Sequence, residues 1–363
     1  MKIKISDRQW RWIWLSFAGV TFGLSLWRIL VSPHESDAVA YFTAGKAALT
    51  GSTPYIDQPT PFKYLPAVAY FFIPFSVLPF AAAEVSIFIL SFAVTVTLYL
   101  WLIRRIGNAL AFLIFATFAR FHFYDFINVQ INHWILGLIL GFLFLRKKHP
   151  WVSAICLAIG ASFKVTPLLL LLPLVLDKNW KEALRSCGVF ALCLLLPLLT
   201  FGGWKVYADW FHLLETTTPW KVHEAPIIQN VQAMLYYWLN PLLSFEALTW
   251  TVRALFVAMV LVTLRFAKTQ LASFSALLVL SVIFSPLAWK HHYLLLLPGY
   301  LLIVENTKQL KVPLIIGFFM AWFPSTVISY SRHIADRSYS TVFGALVEWW
   351  ALIWNPGKAK KRG

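Results

Sequence analysis

Apolar runs recur along the whole chain and are separated by short polar or basic segments. A helix needs about 17–25 apolar residues to cross a bilayer, and shorter helices are tolerated where they line a cavity buried in protein. The pattern therefore predicts an all-α polytopic membrane protein with about 10–13 transmembrane helices. The predicted spans are residues 12–31, 85–103, 108–123, 134–145, 150–163, 166–177, 186–203, 249–264, 271–288, 293–304, 312–328 and 342–354.

Two segments between the predicted spans are long, residues 32–63 and 204–248. In the first, Ser36 or Asp37 can cap a short interfacial helix that Gly51 would end. In the second, a short helix is predicted near residues 230–239. Residues 64–80 are apolar but are interrupted by Pro66, Pro74 and Pro79, so we predict an interfacial or re-entrant segment.

Composition supports this class, because 60% of the 363 residues are hydrophobic and only 13% are charged. A soluble domain of this length could not bury so much apolar surface. We therefore predict a single integral-membrane domain over residues 1–363. The three cysteines lie in apolar runs without metal-ligand spacing, so neither a disulfide nor a zinc site is expected.

The net charge of +16 would suggest a nucleic-acid partner in a soluble protein. In a membrane protein it indicates cytoplasmic loops that follow the positive-inside rule, and no nucleic acid is expected. Twelve spans place both termini in the cytoplasm. We predict a location in the inner membrane of a bacterial cell. The basic clusters that then fall inside are residues 2–11, 104–105, 146–148, 178–185, 265–268, 308–311 and 358–362.

In the same topology, a set of polar residues lies at the outer face. Ionisable groups near membrane depth generally indicate a functional site. An anionic ligand would explain cations on the outer side of a positive-inside protein. The residues in question are Asp37, Lys63, Asn128, Gln130, Asn132, Lys164, Asn230, His291, His292 and Arg332.

Several of these residues also have a structural explanation. Asp37 could serve only as a helix cap, and Lys164 could reach toward water from the end of a span. The amides of residues 128–132 could form a polar turn rather than bind hydroxyl groups. His291 and His292 could be interfacial residues, although a proton or phosphate role fits two adjacent histidines better than a metal site.

Taken in order, these motifs resemble glycosyltransferase family 87, in the GT-C class of membrane transferases related to polyprenol-phosphate-mannose-dependent mannosyltransferases. The resemblance covers about residues 30–295, and residues 296–363 add only C-terminal spans and a basic tail. Val129 stands where the family usually has glycine. The motifs are Asp37-Ala-Val-Ala-Tyr41, Gly51 with Tyr55, Phe62-Lys63-Tyr64-Leu65-Pro66, Val129-Gln130-Ile131-Asn132, Lys164-Val-Thr-Pro167, Asn230-Val-Gln232 and Ser285-Pro286 with Trp289-Lys290-His291-His292.

The resemblance implies a GT-C-type bundle that transfers a sugar from a polyprenyl-phosphate donor to an extracytoplasmic acceptor with inversion. It implies Asp37 as general base and a histidine of the last motif near the donor phosphate or the acceptor. The acceptor would be a glycan or glycolipid, and no cofactor or metal is expected. From their chemistry, Lys164 and Arg332 would stabilise the leaving phosphate, and Tyr64 or Trp289 would pack on the sugar or the prenyl chain.

Two other functions remain open at this point. A lipid-linked-sugar transporter would be expected to carry charges near the membrane midplane and internal repeats, and neither is evident. Another GT-C enzyme, such as an aminoarabinose transferase or a glycan ligase, would use a different donor and acceptor at the same face.

Overall fold

The computed structural model describes residues 5–31, 36–56, 59–217, 228–239, 242–306, 311–322 and 339–354. Helices are the regular elements of these ranges, and a single isolated bridge joins Ile228 and Trp289. The all-α prediction is therefore confirmed.

The first half of the chain contains nine α-helices and two 3₁₀ helices among the described residues. They are α1 (Asp7–Val31), α2 (Ala38–Thr50), a 3₁₀ helix (Pro66–Phe72), α3 (Ile73–Ser76), α4 (Phe80–Ile106), α5 (Asn108–Ile127), α6 (Asn132–Leu145), α7 (Pro150–Phe163), a 3₁₀ helix (Thr166–Leu170), α8 (Leu171–Leu176) and α9 (Trp180–Thr200).

The second half continues with further helices of the described ranges. They are α10 (Lys205–Thr217), α11 (Val231–Leu239), α12 (Phe245–Phe266), α13 (Gln270–Ile283), a 3₁₀ helix (Lys290–Leu296), α14 (Leu297–Asn306), α15 (Lys311–Gly317), a π-helical turn (Phe318–Trp322) and α16 (Ser340–Trp354).

Five of these helices, α1, α4, α5, α9 and α12, are long and apolar enough to cross a membrane. Six of the other predicted spans correspond to shorter apolar helices, although residues 323–328 of the span predicted at 312–328 lie outside the described residues. The span predicted at 293–304 is a 3₁₀ helix that continues as α14. The span predicted at 271–288 ends early, at Ile283, because Pro286 lacks a backbone N–H and disfavours helix in the residue before it. The span predicted at 166–177 is a 3₁₀ helix followed by six α-helical residues.

Contacts between helix termini define two ends of the bundle. At one, which we call the basic end, Arg105 at the close of α4 pairs with Glu305, and Arg146 after α6 pairs with Glu182 at 2.8 Å. At the opposite end, Tyr70 donates a hydrogen bond to Thr200, the last residue of α9, at 2.8 Å. The polar motifs lie at this opposite end, where α5 and α7 finish and α6 begins.

Helix α2 is the short helix predicted after the first span. Asp37 occupies its N-cap position, and Gly51 ends it in the left-handed conformation with φ 70°. The helix packs closely on the following 3₁₀ helix, since a Cβ on Gly45 would lie 2.5 Å from the carbonyl oxygen of Phe72. Tyr41 stacks on the ring of Phe72 with centroids 4.5 Å apart.

The apolar segment 64–80 leaves the polar end and returns to it. Tyr64 lies beside Tyr41 of α2, and Glu84, just inside α4, contacts Ser36 next to Asp37. Because its helices are short and both of its ends lie at the same end of the bundle, the segment has the form predicted for a re-entrant or interfacial piece.

Candidate active site

A cavity of about 460 Å³ lies at the polar end, which we therefore call the cavity end. Six segments form it: the start of α2, the loop before the first 3₁₀ helix, the α5–α6 turn, the end of α7 with the residues after it, α10 and the residues after α13. The predicted site residues that line it are Asp37, Lys63, Tyr64, Gln130, Lys164, Trp289, His291 and His292.

The Asp37 carboxylate lines this cavity and accepts no hydrogen bond from the described residues. Its backbone N–H donates to the carbonyl of Asn128 at 3.1 Å, but its side chain does not cap α2. Ser36 performs that role instead, because its hydroxyl accepts from the N–H of Ala38 at 3.3 Å and donates to Glu84. The carboxylate of Asp37 thus stands at the start of α2 without capping it, because Ser36 takes that role.

The environment of Asp37 makes its carboxyl group an unusually good proton acceptor near neutral pH. Burial raises its pKa from 3.8 to about 7, and the negative charge of Asp125 adds to this effect. The Lys63 ammonium acts in the opposite direction. Burial in turn lowers the pKa of Lys63, and the charge of Asp37 partly restores it. A base whose pKa lies near the working pH combines ionisation with useful basicity.

Aromatic and amide groups line the cavity next to Asp37. The Tyr41 and Tyr64 hydroxyls are 3.0 Å apart, and Tyr41 donates to Oε1 of Gln130 at 3.4 Å. The indole of Trp210 in α10 donates to the carbonyl of Lys63 at 3.1 Å, which connects α10 to the loop before the first 3₁₀ helix. Hydroxyls and an amide in this arrangement can orient the hydroxyl groups of a sugar.

Lys164 follows directly after α7, where Pro167 starts a new helix. Its ammonium donates to Oδ1 of Asn132 at 2.7 Å and lines the cavity. The side chain therefore lies in a polar site of the protein.

Both histidines of the last motif reach the cavity because the chain turns there in a 3₁₀ helix. Nδ1 of His292 accepts from the backbone N–H of Trp289 at 3.3 Å, so its Nε2 carries the proton in the neutral ring. The ring of His291 lies nearly perpendicular to it, with centroids 4.7 Å apart. Both imidazole rings therefore lie on the wall of the cavity.

Three predicted residues do not line this cavity, and a fourth lies outside the described residues. The amide of Asn128 donates to the carbonyl of Tyr124 at the end of its own helix. Asn132 lies behind Lys164, between it and Asp125. Asn230 donates to the carbonyls of Ser285 and Pro286 and thereby holds the loop before the histidines. Arg332 falls in the range that is not described.

Asp125 is the site-proximal residue that the sequence analysis missed. It is fully buried near the end of α5, and Asn132 donates to its Oδ1 at 2.6 Å. The apolar run that predicted this span stops at residue 123, so a carboxylate just beyond it drew no attention. A buried acid seven residues before an asparagine, across a turn between two spans, is a signal that could have revealed it.

A second cavity, of about 590 Å³, adjoins the first. The two share Thr166 and Ser285 as lining residues. The second is mainly apolar, with side chains from α12 and α13 on its walls. Its apolar residues include Leu169, Leu214, Phe245, Val252, Phe256, Leu280 and Phe284.

A helical membrane domain whose carboxylate, lysines and histidines converge on a polar cavity beside an apolar one is suited to a transferase that acts on lipid-borne substrates. The chain belongs to glycosyltransferase family 87, whose family model matches residues 62–289, more than half of the chain. Asp37 precedes the matched residues.

A curated relative supports the same assignment over nearly the whole chain. It is the polyprenol-phosphate-mannose-dependent alpha-(1-2)-phosphatidylinositol mannoside mannosyltransferase of Mycobacterium tuberculosis, 27% identical over 94% of this chain and 88% of the relative. No solved structure matches the chain. The protein is thus a multi-pass membrane glycosyltransferase, and neither comparison supports the transporter alternative or a GT-C enzyme of another family.

Proposed function

We propose that the protein is an inverting glycosyltransferase that moves a hexose, with mannose as the first candidate, from a polyprenyl-phosphate donor to an extracytoplasmic glycan or glycolipid acceptor. The observation that carries this proposal is the convergence of Asp37, two lysines and two histidines on one cavity. The named relative uses polyprenol-phosphate-mannose, which supports the donor class.

The chemistry is a single displacement at the anomeric carbon. The acceptor hydroxyl forms the new bond to this carbon as its proton passes to the Asp37 carboxylate. The bond between the anomeric carbon and the phosphate oxygen breaks, and its electron pair leaves with the polyprenyl phosphate. A single base suffices, since no covalent intermediate forms.

The remaining cavity residues would bind the substrates. Lys164 and the two histidines would stabilise the charge that grows on the leaving phosphate. Tyr64, Gln130 and Trp289 would contact the sugar. The neighbouring apolar cavity would accommodate the lipid chain, because it adjoins the polar cavity and is lined mainly by hydrophobic side chains.

Donor screening tests this function directly. Purified protein in nanodiscs is given polyprenyl-phosphate mannose, glucose or arabinose with a glycolipid acceptor, with and without EDTA. Release of polyprenyl phosphate coupled to product formation with inverted anomeric configuration is expected. Product of retained configuration, or consumption of nucleotide sugars alone, would contradict the proposal.

The predicted sidedness has its own test. In a cysteine-free background, Ile56→Cys reports the cavity end and Lys178→Cys reports the basic end, and both positions are exposed. A membrane-impermeant maleimide is expected to label Ile56→Cys in intact cells and Lys178→Cys only after lysis. The reverse pattern would place the cavity in the cytoplasm.

A further inference from the structure

Behind Lys164, a series of polar side chains in close contact leads from the cavity into the bundle. From the cavity inward, Lys164 contacts Asn132 at 2.7 Å, and Asn132 contacts Asp125 at 2.6 Å. Oδ2 of Asp125 lies 2.5 Å from Nδ1 of His133. Beyond Asp125, His133 and His122 approach at 2.8 Å, and His122 approaches the hydroxyl of Tyr99 at 2.8 Å.

The orientation of the Asn132 amide follows from its two neighbours. An ionised carboxylate only accepts hydrogen bonds, and an ammonium only donates them. The NH₂ of Asn132 must therefore face Asp125, and its oxygen must face Lys164. If the amide were flipped, its oxygen would face the Asp125 oxygen and its NH₂ would face the Lys164 ammonium. Asp125 therefore determines that the oxygen of Asn132 faces Lys164.

The inner part of this series of polar side chains is compatible with one buried negative charge, which lies on Asp125. With His133 protonated on Nδ1 toward Asp125, its Nε2 accepts from Nδ1–H of His122. Nε2 of His122 then accepts from the Tyr99 hydroxyl. Both histidines are neutral in this assignment, and the His133–His122 and His122–Tyr99 contacts each have one donor and one acceptor. The close approach of His133 to Asp125 lacks hydrogen-bond geometry. Lys164, one amide away, then carries the positive charge that interacts with the charge on Asp125.

We infer that Asp125 is a positioning residue that acts through Asn132 to hold the Lys164 ammonium in the cavity for the phosphate of the donor. The inference rests on the proposed function, because it assigns Lys164 to that phosphate. It explains why a carboxylate is buried where it touches no part of the cavity. Without Asp125, Asn132 is free to rotate, and Lys164 loses its fixed acceptor and its counter-charge.

A double-mutant cycle on ligand binding tests this inference. The probe is a polyprenyl monophosphate, titrated into nanodisc-embedded protein at a fixed pH, with Asp125→Asn, Lys164→Gln and the double variant. Each single variant is expected to weaken binding about 10- to 100-fold, the range for loss of a charged hydrogen bond. The double variant is expected to bind no more weakly than Lys164→Gln alone.

A purely structural role for Asp125 would give additive losses, which would overturn the inference, as would unchanged binding by Asp125→Asn. Normal binding by Lys164→Gln would overturn it together with the role of Lys164. Failure of the wild-type protein to bind the probe would instead contradict the proposed function. Should Asp125→Asn not fold, Asn132→Ala breaks the same link, and the same non-additivity with Lys164→Gln is expected.

Glu348→Gln is the matched control for neutralising a buried carboxylate. Glu348 is fully buried in α16, and neither of its oxygens has a hydrogen-bond partner among the described residues. It does not line either cavity described above. Its binding of the probe is expected to match wild type, and a loss equal to that of Asp125→Asn would overturn the inference.

Discussion

Two regions of the cavity end each present an aspartate, the half-buried Asp37 and the fully buried Asp125, and the surroundings of the two carboxyl groups are opposite. At the start of α2, the Asp37 side chain accepts no hydrogen bond from the described residues. Near the end of α5, Oδ1 of Asp125 accepts a hydrogen bond from Asn132, and its Oδ2 lies next to the ring of His133. Free lone pairs suit a group that must take a proton, whereas an acid that accepts a hydrogen bond from Asn132 is suited to hold its neighbours.

The largest effect is expected from the free acid. Asp37→Asn keeps the shape of the side chain but cannot accept the proton, so we expect sugar transfer to fall about 10²- to 10⁴-fold, the usual contribution of a general base. The measurement is the initial rate with polyprenyl-phosphate mannose. Asp177→Asn is the control, because it makes the same change at an exposed position next to the basic turn, and its rate is expected to be normal.

The same substitution should leave stability unchanged or improved. The pKa of Asp37 is about 7 in the folded protein and 3.8 as a free side chain, so the folded state binds the proton more tightly. The stabilisation linked to this proton is complete below pH 4 and is lost as the pH rises through 7. At pH 8 the Asn variant avoids the burial of a charge, and its melting temperature is expected to equal or exceed that of wild type. A clear decrease would indicate that Asp37 is mainly structural.

Removal of Lys63 should shift the pH dependence rather than abolish transfer. Since Asp37 must be ionised to act as a base, the rate is expected to rise with pH and level off above about 7. The Lys63 ammonium favours the ionised form, so Lys63→Gln raises the pKa of Asp37 and moves this acid limb to higher pH. Lys46→Gln, on the exposed side of α2, is expected to leave the profile unchanged. Identical profiles for all three proteins would contradict the assignment of the base.

The helical class and the convergence of the motifs could be predicted from the sequence because both rest on local signals. Apolar runs identify helices, and the alternation of helix direction brings every second turn to the same end. The motif positions 37, 63, 164 and 291 therefore share one end although they are far apart in the sequence. Helix lengths were harder to predict, because Pro167 and Pro286 shorten apolar runs without making them polar.

The particular partner of each side chain could not be predicted, because it depends on packing across helices. Asn128 and Asn132 are alike in the sequence, yet one caps its own helix and the other connects Asp125 to Lys164. The direction of each amide follows from the turn between α5 and α6. This turn contains a residue at positive φ, which a hydrophobic pattern does not reveal.

Val129 links the two acids through this turn, and its replacement should have a moderate effect on stability. Its φ of 49° lies in the left-handed region, which is unfavourable for a β-branched residue and free of strain for glycine. Its neighbours bond Asp37 and Asp125, since the Asn128 carbonyl accepts from Asp37 and the Gln130 N–H donates to the Asp125 carbonyl at 2.8 Å. The strain explains why glycine would fit here.

Val129→Gly and Val129→Ala both remove a buried side chain, but only glycine also relieves the backbone. We therefore expect Val129→Gly to melt at or above the temperature of Val129→Ala, although it has the smaller side chain, and to retain transfer within about twofold. A lower melting temperature for the glycine variant would show that the left-handed conformation costs the protein little.

The smallest effect is expected at Tyr99, the innermost of the polar side chains behind Asp125. A substitution there distinguishes two roles for this series of side chains. If Asp125 acts as a fixed charge, loss of the Tyr99 hydroxyl leaves both the charge and the Asn132 amide in place, so Tyr99→Phe should change the transfer rate by less than about twofold. If the series instead carried the proton away from the site, breaking it at Tyr99 should lower the rate substantially. Initial rates for Tyr99→Phe and Asp125→Asn, measured side by side at pH 8, decide between them. A near-normal rate for Tyr99→Phe and a reduced rate for Asp125→Asn would show that Asp125 acts as a fixed charge that holds its neighbours, and not as part of a path for the proton.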